Sequence, residues 1–170
     1  MAKIEIEENV SELIKGLSAK VGKPRPLMEM MGRSLKTRTQ LGFRLGVDPY
    51  GTAWKPLKFR AGQPLRDTGR LQRSMAYRAS DTFVDIGTNT SYAVVHQFGA
   101  TVKAGTPPHT SLGGYQTSGA PFLAFPGPGG KTIFAKSVAI PARPILPTSK
   151  LPTSWGQDIK NAINGYLTGT

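Results

Sequence analysis

The sequence predicts an α+β fold, with N-terminal helices, a small central antiparallel β-sheet, a long protruding β-hairpin or arm, and a C-terminal helix. Three observations predict it. Apolar residues recur at helical spacing before residue 46 and again after residue 153. Between those regions the period switches to two in short runs rich in β-branched and aromatic residues. A stretch dense in Gly, Pro, Ser and Thr interrupts the second half. With 170 residues the chain is sized for one ordinary domain. It divides into a helical part over 8–46, a β-rich core over 48–104 and 132–150, an arm over 105–131, and a terminal helix over 154–167.

The first element is an amphipathic helix. Val10, Leu13, Ile14, Leu17 and Val21 fall on one face, Asn9 or Ser11 can cap the start, and Gly22 ends it before Lys23-Pro24-Arg25-Pro26. Pro26 then suits the first turn of a second helix. Leu27, Met30, Met31, Leu35, Leu41 and Leu45 form its expected apolar stripe, with Arg33, Lys36 and Arg44 opposite. Arg38 breaks the stripe, Gly32 and Gly42 weaken the helix, and the end is expected near Gly46. Methionine at this spacing reads as core filler rather than a binding groove.

Asp48-Pro49-Tyr50-Gly51 reads as a turn with proline in its second position, followed by an extended Ala53–Leu57. Thr68–Ser74 suits one helical turn. Met75–Ala79 and Thr82–Ile86 alternate with period two and are expected to form a hairpin across Ser80-Asp81. Tyr92–Phe98 is short and apolar, a strand or a brief helix. In the low-complexity stretch, Phe122–Phe125 and Thr132–Ile140 are expected to pair as a second hairpin across Pro126–Gly130. An isolated hairpin is marginal in water, so this one should lie on its own sheet or on a neighbouring subunit. Trp155, Ile159, Ala162, Ile163 and Tyr166 trace the last helix, with Ser154 as its candidate cap.

Composition narrows the function classes. A hydrophobic share of 38% with 20 Gly and 14 Pro implies a modest core carrying loops or arms. Cysteine is absent, which excludes disulfides, thiol catalysis and thiolate zinc sites. No apolar run approaches a membrane span, and the acidic start MAKIEIEENV lacks the apolar core of a signal peptide, so a cytoplasmic origin is expected. The net charge of +12 is uneven: between Pro49 and Lys150 there are three acids (Asp67, Asp81, Asp85) against twelve Lys and Arg. Such a field attracts phosphates, acidic protein surfaces or anionic lipid, and otherwise serves as a solvated face.

Nothing points to catalysis. His96 sits in an apolar run without an acidic neighbour, and His109 sits in the low-complexity stretch. Asp81 and Asp85 share a strand face, but a metal would need more ligands than that pair. Gly127–Lys131 lacks the spacing of a phosphate loop. No catalytic, metal or cofactor site is therefore expected. Lys55, Lys58, Arg60, Arg66, Arg70 and Arg73 lie close in sequence to Trp54 and Phe59, the residue types of a non-specific contact with DNA or with an acidic partner.

Four segments occur in an order that resembles a known family: Asp48–Leu57 (DPYGTAWKPL), Pro64–Ser74 (PLRDTGRLQRS), Ile86–Asn89 with Tyr92–Gly99 (IGTN, YAVVHQFG), and Ile140–Leu146 (IPARPIL). They span over half the chain and are similar to the motifs of the phage virion morphogenesis, or tail completion, family. Ile145 departs from that pattern, which carries an aromatic there. The resemblance implies a non-enzymatic virion protein that completes the tail or joins head to tail. It would act as a homo-oligomeric ring of six- or twelve-fold symmetry around the DNA channel at the neck of a contractile tail. Portal or adaptor proteins would be its partners on the head side, and tube or sheath proteins on the tail side. The resemblance implies a location in the virion neck, reached from the host cytoplasm, with no membrane and no cofactor. Trp54, Asp67, Gly69, Tyr92, His96, Phe98, Gly99 and Arg143 are its structural or assembly candidates. Among the motif residues, Gly51, Gly69 and Gly99 suit positive φ, Asp67 suits a helix cap, and Arg143 suits pairing with an acid of its own or a neighbouring subunit.

Overall fold

The computed structural model describes residues 24–58, 61–104, 121–126 and 131–168. The expected first helix, most of the expected arm, Arg60 and His109 lie outside these residues.

The longest element is helix α1 (Arg25–Leu45), with Pro26 in its first turn as expected. Gly46 closes it at φ 74°, where its N–H reaches the Gly42 carbonyl at 2.8 Å. A residue without Cβ adopts that left-handed cap at no steric cost. The buried stripe differs from the expected one. Leu27, Met28, Met31, Leu35, Thr39 and Phe43 face inward, whereas Leu45 is 64% exposed. The stripe is rotated because two partners, rather than mean hydropathy, define the inner face. Helix α4 (Thr153–Thr168) covers one side through Trp155, Ile159 and Ile163. A hairpin of β1 (Met75–Ala79) and β2 (Val84–Thr88) covers the other. Arg38, which interrupts the expected stripe, reaches α4 and forms a two-pronged ion pair with Asp158, with Nη2 3.0 Å from Oδ1.

Gly32 has a use that helix propensity does not reveal. A Cβ there would sit 2.2 Å from the Tyr77 ring, so its absence is what lets β1 approach α1. The hairpin loop is longer than expected. Ala79 pairs with Val84, and the Ser80 hydroxyl accepts the N–H groups of Thr82 and Phe83 at 3.2 Å, which moves the second strand two residues on. Short helix α2 (Arg70–Ser74) precedes β1, and helix α3 (Ala93–Phe98) settles the reading of Tyr92–Phe98 as helical.

The strands do not form one central sheet. Among the described residues they make three separate antiparallel pairs: β1 with β2, β3 (Ala100–Lys103) with β6 (Ser137–Ile140), and β4 (Leu123–Pro126) with β5 (Thr132–Ala135). The expected Thr132–Ile140 strand is therefore shared between two partners, its first half with β4 and its second half with β3. At Lys136 the alternation slips by one residue. Ile133 and Ala135 before it, and Val138 and Ile140 after it, are the half-buried positions. A one-residue bend of this kind keeps apolar side chains on one face of a continuing strand.

Two apolar clusters form the core. Leu27, Met28, Met31 and Leu35 meet Trp155, Ile159 and Ile163 in the first. Phe43, Trp54, Leu71, Met75, Ala93 and Ile145 make the second, where Phe43 and Trp54 meet edge to face with centroids 5.5 Å apart. Ile86 and Leu146 pack against both. The last helix begins at Thr153, so Ser154 lies inside its first turn rather than at the cap.

Candidate functional site

The four recognised segments, spread from Asp48 to Leu146, meet in space. The Asp48–Gly51 turn closes through Gly51 N–H on the Asp48 carbonyl at 3.0 Å, and Asp48 Oδ1 accepts the N–H groups of Tyr50 and Thr52 at 2.8 Å. Tyr50 then reaches across the fold. Its phenolic oxygen accepts N–H groups from Thr148 and Ser149, both at 3.1 Å, and donates to the Lys150 carbonyl. Trp54, 7% exposed, donates Nε1–H to the Pro144 carbonyl at 2.9 Å.

Arg143 crosses the same seam in the opposite direction. It is 6% exposed, and its Nε and Nη2 donate to the carbonyls of Lys55 and Pro56 at 2.8 and 3.1 Å. These bonds are to main-chain carbonyls rather than to an acid of its own chain. A buried guanidinium is acceptable here because fixed carbonyl dipoles replace part of its hydration. Its burial pulls its pKa below the ordinary arginine value.

Gln97 is the third brace. Its Oε1 accepts the N–H groups of Ile145 and Leu146 at 2.8 and 3.1 Å, while its Nε2 donates to the Leu146 carbonyl at 2.7 Å. A side-chain amide has the donor and acceptor pattern of a peptide, so α3 holds the 145–146 segment much as a neighbouring strand would. Gln97 was not among the residues singled out from sequence. Its place inside the HQFG run, polar amid apolar neighbours, is the signal that could have found it.

Gly99 ends α3 at φ 75° and lies against the same segment. A Cβ there would come 2.9 Å from Ala142 N and 3.0 Å from the Ile140 carbonyl oxygen. The Arg143 N–H bonds the His96 carbonyl at 2.6 Å and completes the junction. His96 stacks edge to face on Tyr92, 5.8 Å between centroids, and its buried Nδ1 has no hydrogen-bond partner among the described residues. Burial first, and then the Arg143 charge, lower its pKa, so the neutral ring is favoured.

The second segment joins through hydroxyls. Ser74 Oγ lies 2.6 Å from Thr88 Oγ1 and accepts from Thr90 Oγ1 at 2.8 Å, tying the end of α2 to the IGTN run. Gly69, at φ 72°, occupies the N-cap of α2. The Thr68 hydroxyl accepts the Arg70 N–H at 3.4 Å beside it. Asp67 is exposed, as are Lys55, Lys58, Arg66, Arg70 and Arg73. Phe98 is 60% exposed and stands on the outer side of α3 with Val94 at 48%.

This arrangement positions backbone. Among the described residues the buried His96 Nδ1 has no hydrogen-bond partner, and the Ser74, Thr88 and Thr90 hydroxyls bond one another. Among the described residues no group of three His, Cys, Asp or Glu side chains could hold a metal, and no helix is long and apolar enough to cross a membrane.

A sequence model of the phage virion morphogenesis family matches residues 6–167. The chain belongs to the phage virion morphogenesis family. It is also 35% identical over 106 residues to the Mu-like prophage FluMu G protein 2 of Haemophilus influenzae, a match covering 60% of this chain and 73% of that relative. No solved structure matches the chain. In physical terms, the segments that resemble the family's motifs hold one frame together: a turn, a short helix and an extended strand are cross-braced by Tyr50, Trp54, Gln97 and Arg143.

Proposed function

We propose that this protein is a structural virion component that completes the phage tail or joins it to the head, working as a homo-oligomeric ring at the neck around the DNA channel. Membership of the virion morphogenesis family carries this reading. Two features support it. The recognised motifs are spent on bracing backbone, as suits a subunit whose task is to present fixed surfaces rather than to turn over a substrate. The exposed cations Lys55, Lys58, Arg66, Arg70 and Arg73 follow one another along a single stretch of chain, where they suit a DNA-lined lumen or an acidic partner ring. Non-enzymatic action, a place at the neck of a contractile tail, and contacts with portal or adaptor proteins on one side and tube or sheath on the other belong to the same proposal.

Electron microscopy tests it directly. The purified protein should form closed rings, and particles assembled without it should accumulate as unjoined heads and tails. A strictly monomeric protein absent from virions would sink the reading. The same five cations favour a second reading, a small basic protein that binds DNA without sequence preference. That one demands tight binding by the monomer with a steep salt dependence in filter binding.

A further inference from the structure

Between Pro49 and Ser74 the chain holds six Lys and Arg against one acid, Asp67. Trp54 and Leu71 are buried in the second apolar cluster, and Leu65 packs against it. Lys55, Arg66 and Arg70, each next to one of these anchors, are exposed. Three anchors on one cluster set those cations around one patch of surface.

The loop between the anchors is built to hold its arginines. Leu65 has φ 60°, and among the described residues no other side-chain-bearing residue has a positive φ. Leucine stays in the left-handed region only where its surroundings enforce it, and such strain gathers at functional segments. Gln63 ties the loop to the last turn of α1, its Nε2 donating to the carbonyls of Phe43 and Arg44 at 2.8 and 3.2 Å. Its Oε1 accepts from Arg66 Nη1 at 3.3 Å. Arg73 folds back over the start of α2, where Nη2 donates to the Thr68 carbonyl at 3.0 Å. A Cβ on Gly69 would stand 2.8 Å from Arg73 Nη1, so the glycine leaves room for that guanidinium. An uncharged acceptor thus steadies Arg66 and Arg73 without cancelling their charge.

The make-up of the patch decides what it can bind. Among the described residues from Gly51 to Thr82 no large apolar side chain is exposed. A specific protein partner is ordinarily held by a desolvated apolar or aromatic centre inside a polar rim, and this surface has no such centre. Trp54, the aromatic that could stack on an unpaired base, is 7% exposed and gives its Nε1–H to the Pro144 carbonyl. What remains is positive charge on planar guanidinium forks, which match phosphate oxygens and read no sequence there.

We propose that Arg66, Arg70 and Arg73 bind the phosphate backbone of duplex DNA without sequence preference, with Gln63, Leu65 and Gly69 as positioning residues. The inference rests on the reading of a ring around DNA and commits this stretch to the DNA rather than to an acidic partner ring.

Fluorescence anisotropy of the full-length protein with a labelled duplex, over about 50 to 200 mM salt, tests it. Arg66→Ala/Arg70→Ala/Arg73→Ala should flatten the slope of log affinity against log salt by about 3, and each single change by about 1. The triple change should also lower affinity at least tenfold, equally for unrelated sequences, while rings seen by electron microscopy and the far-ultraviolet circular dichroism stay as in the wild type. Replacing the same three by Lys should keep the slope, because the charges remain. Gly69→Ala, which displaces the Arg73 guanidinium, should weaken binding by less than the triple change. An unchanged slope in the triple Ala variant overturns the proposal. So does poly-glutamate that competes as well as unlabelled duplex, the mark of a surface for an acidic protein. A single strand bound more tightly than the duplex would reveal base stacking and overturn it too. Wild-type rings that bind no duplex overturn it and leave the ring reading standing. A monomer that binds duplex, with the expected loss in the triple variant, supports this contact and removes the ring.

Discussion

The β1–β2 hairpin and the β4–β5 ribbon are the same object by local rules and different objects in the molecule. Each is a two-stranded antiparallel pair with alternating apolar residues. The first lies on α1, buries Met75 to 1% exposure and adds Ile86 to both core clusters. In the second, none of the described side chains is fully buried, and Phe134 is 67% exposed. The contrast teaches that alternation makes a ribbon and a covering surface makes it stable, since two strands alone bury too little to offset ordering the chain.

The largest expected effect comes from uncovering the first hairpin. Met75→Ala should lower unfolding stability by about 2–5 kcal/mol in urea denaturation, because it removes a fully buried side chain from the second cluster. Gly32→Ala should follow at about 1–3 kcal/mol, since the new methyl overlaps the base of the Tyr77 ring and pushes β1 off α1. A stable Gly32→Ala protein would show that the close approach is dispensable. Gln97→Ala should cost about 1–3 kcal/mol by leaving the Ile145 and Leu146 peptide groups short of partners. Its check is faster amide exchange at those two residues.

Smaller still is a pH effect. The folded-state pKa of His96 lies below its unfolded value, so as pH falls the unfolded chain takes up a proton before the folded one does. The contribution is therefore constant above about pH 7 and declines as pH falls through the unfolded value near 6.5. Thermal melts between pH 5 and 8 should show that decline in the wild type and a shallower one in His96→Gln. Smallest is Phe134→Ala on the ribbon, with a change in unfolding stability within about 0.5 kcal/mol. A large loss there would mean that the ribbon is covered within its own subunit, and the contrast between the two hairpins would fail.

Much of this was legible from residue order because it is local. Pro26 and Gly46 bound α1 through their own backbone preferences, the Asp48–Gly51 turn follows from proline and a short acceptor side chain, and Trp155, Ile159 and Ile163 keep helical spacing. The misreadings share one cause. Helical periodicity puts Leu27, Met30, Met31, Leu35, Leu41 and Leu45 on one stripe of α1, yet Met28, Thr39 and Phe43 are inside and Leu45 is outside, because α4 and the hairpin choose the face. The second strand of the hairpin begins at Val84 because Ser80 captures two N–H groups, a preference that alternation does not encode.

The candidate site divides in the same way. Trp54, Gly99 and Arg143 stood out in their motifs, but which atoms they meet depends on segments about 40 to 90 residues away. Gln97 went unremarked because an amide in an apolar run has no local partner to announce it.

By itself the sequence determined the long helix that Gly46 closes, the C-terminal helix, the Asp48–Gly51 turn, the lack of thiol chemistry and the family, all of which rest on backbone preferences, composition or short ordered motifs. Only the tertiary structure decided that the described strands pair as three separate ribbons, that Arg143 answers to carbonyls, and that the recognised motifs brace one seam. Those outcomes depend on which surfaces meet across the chain. Hydrogen-bond partners and burial are properties of such meetings rather than of any residue alone.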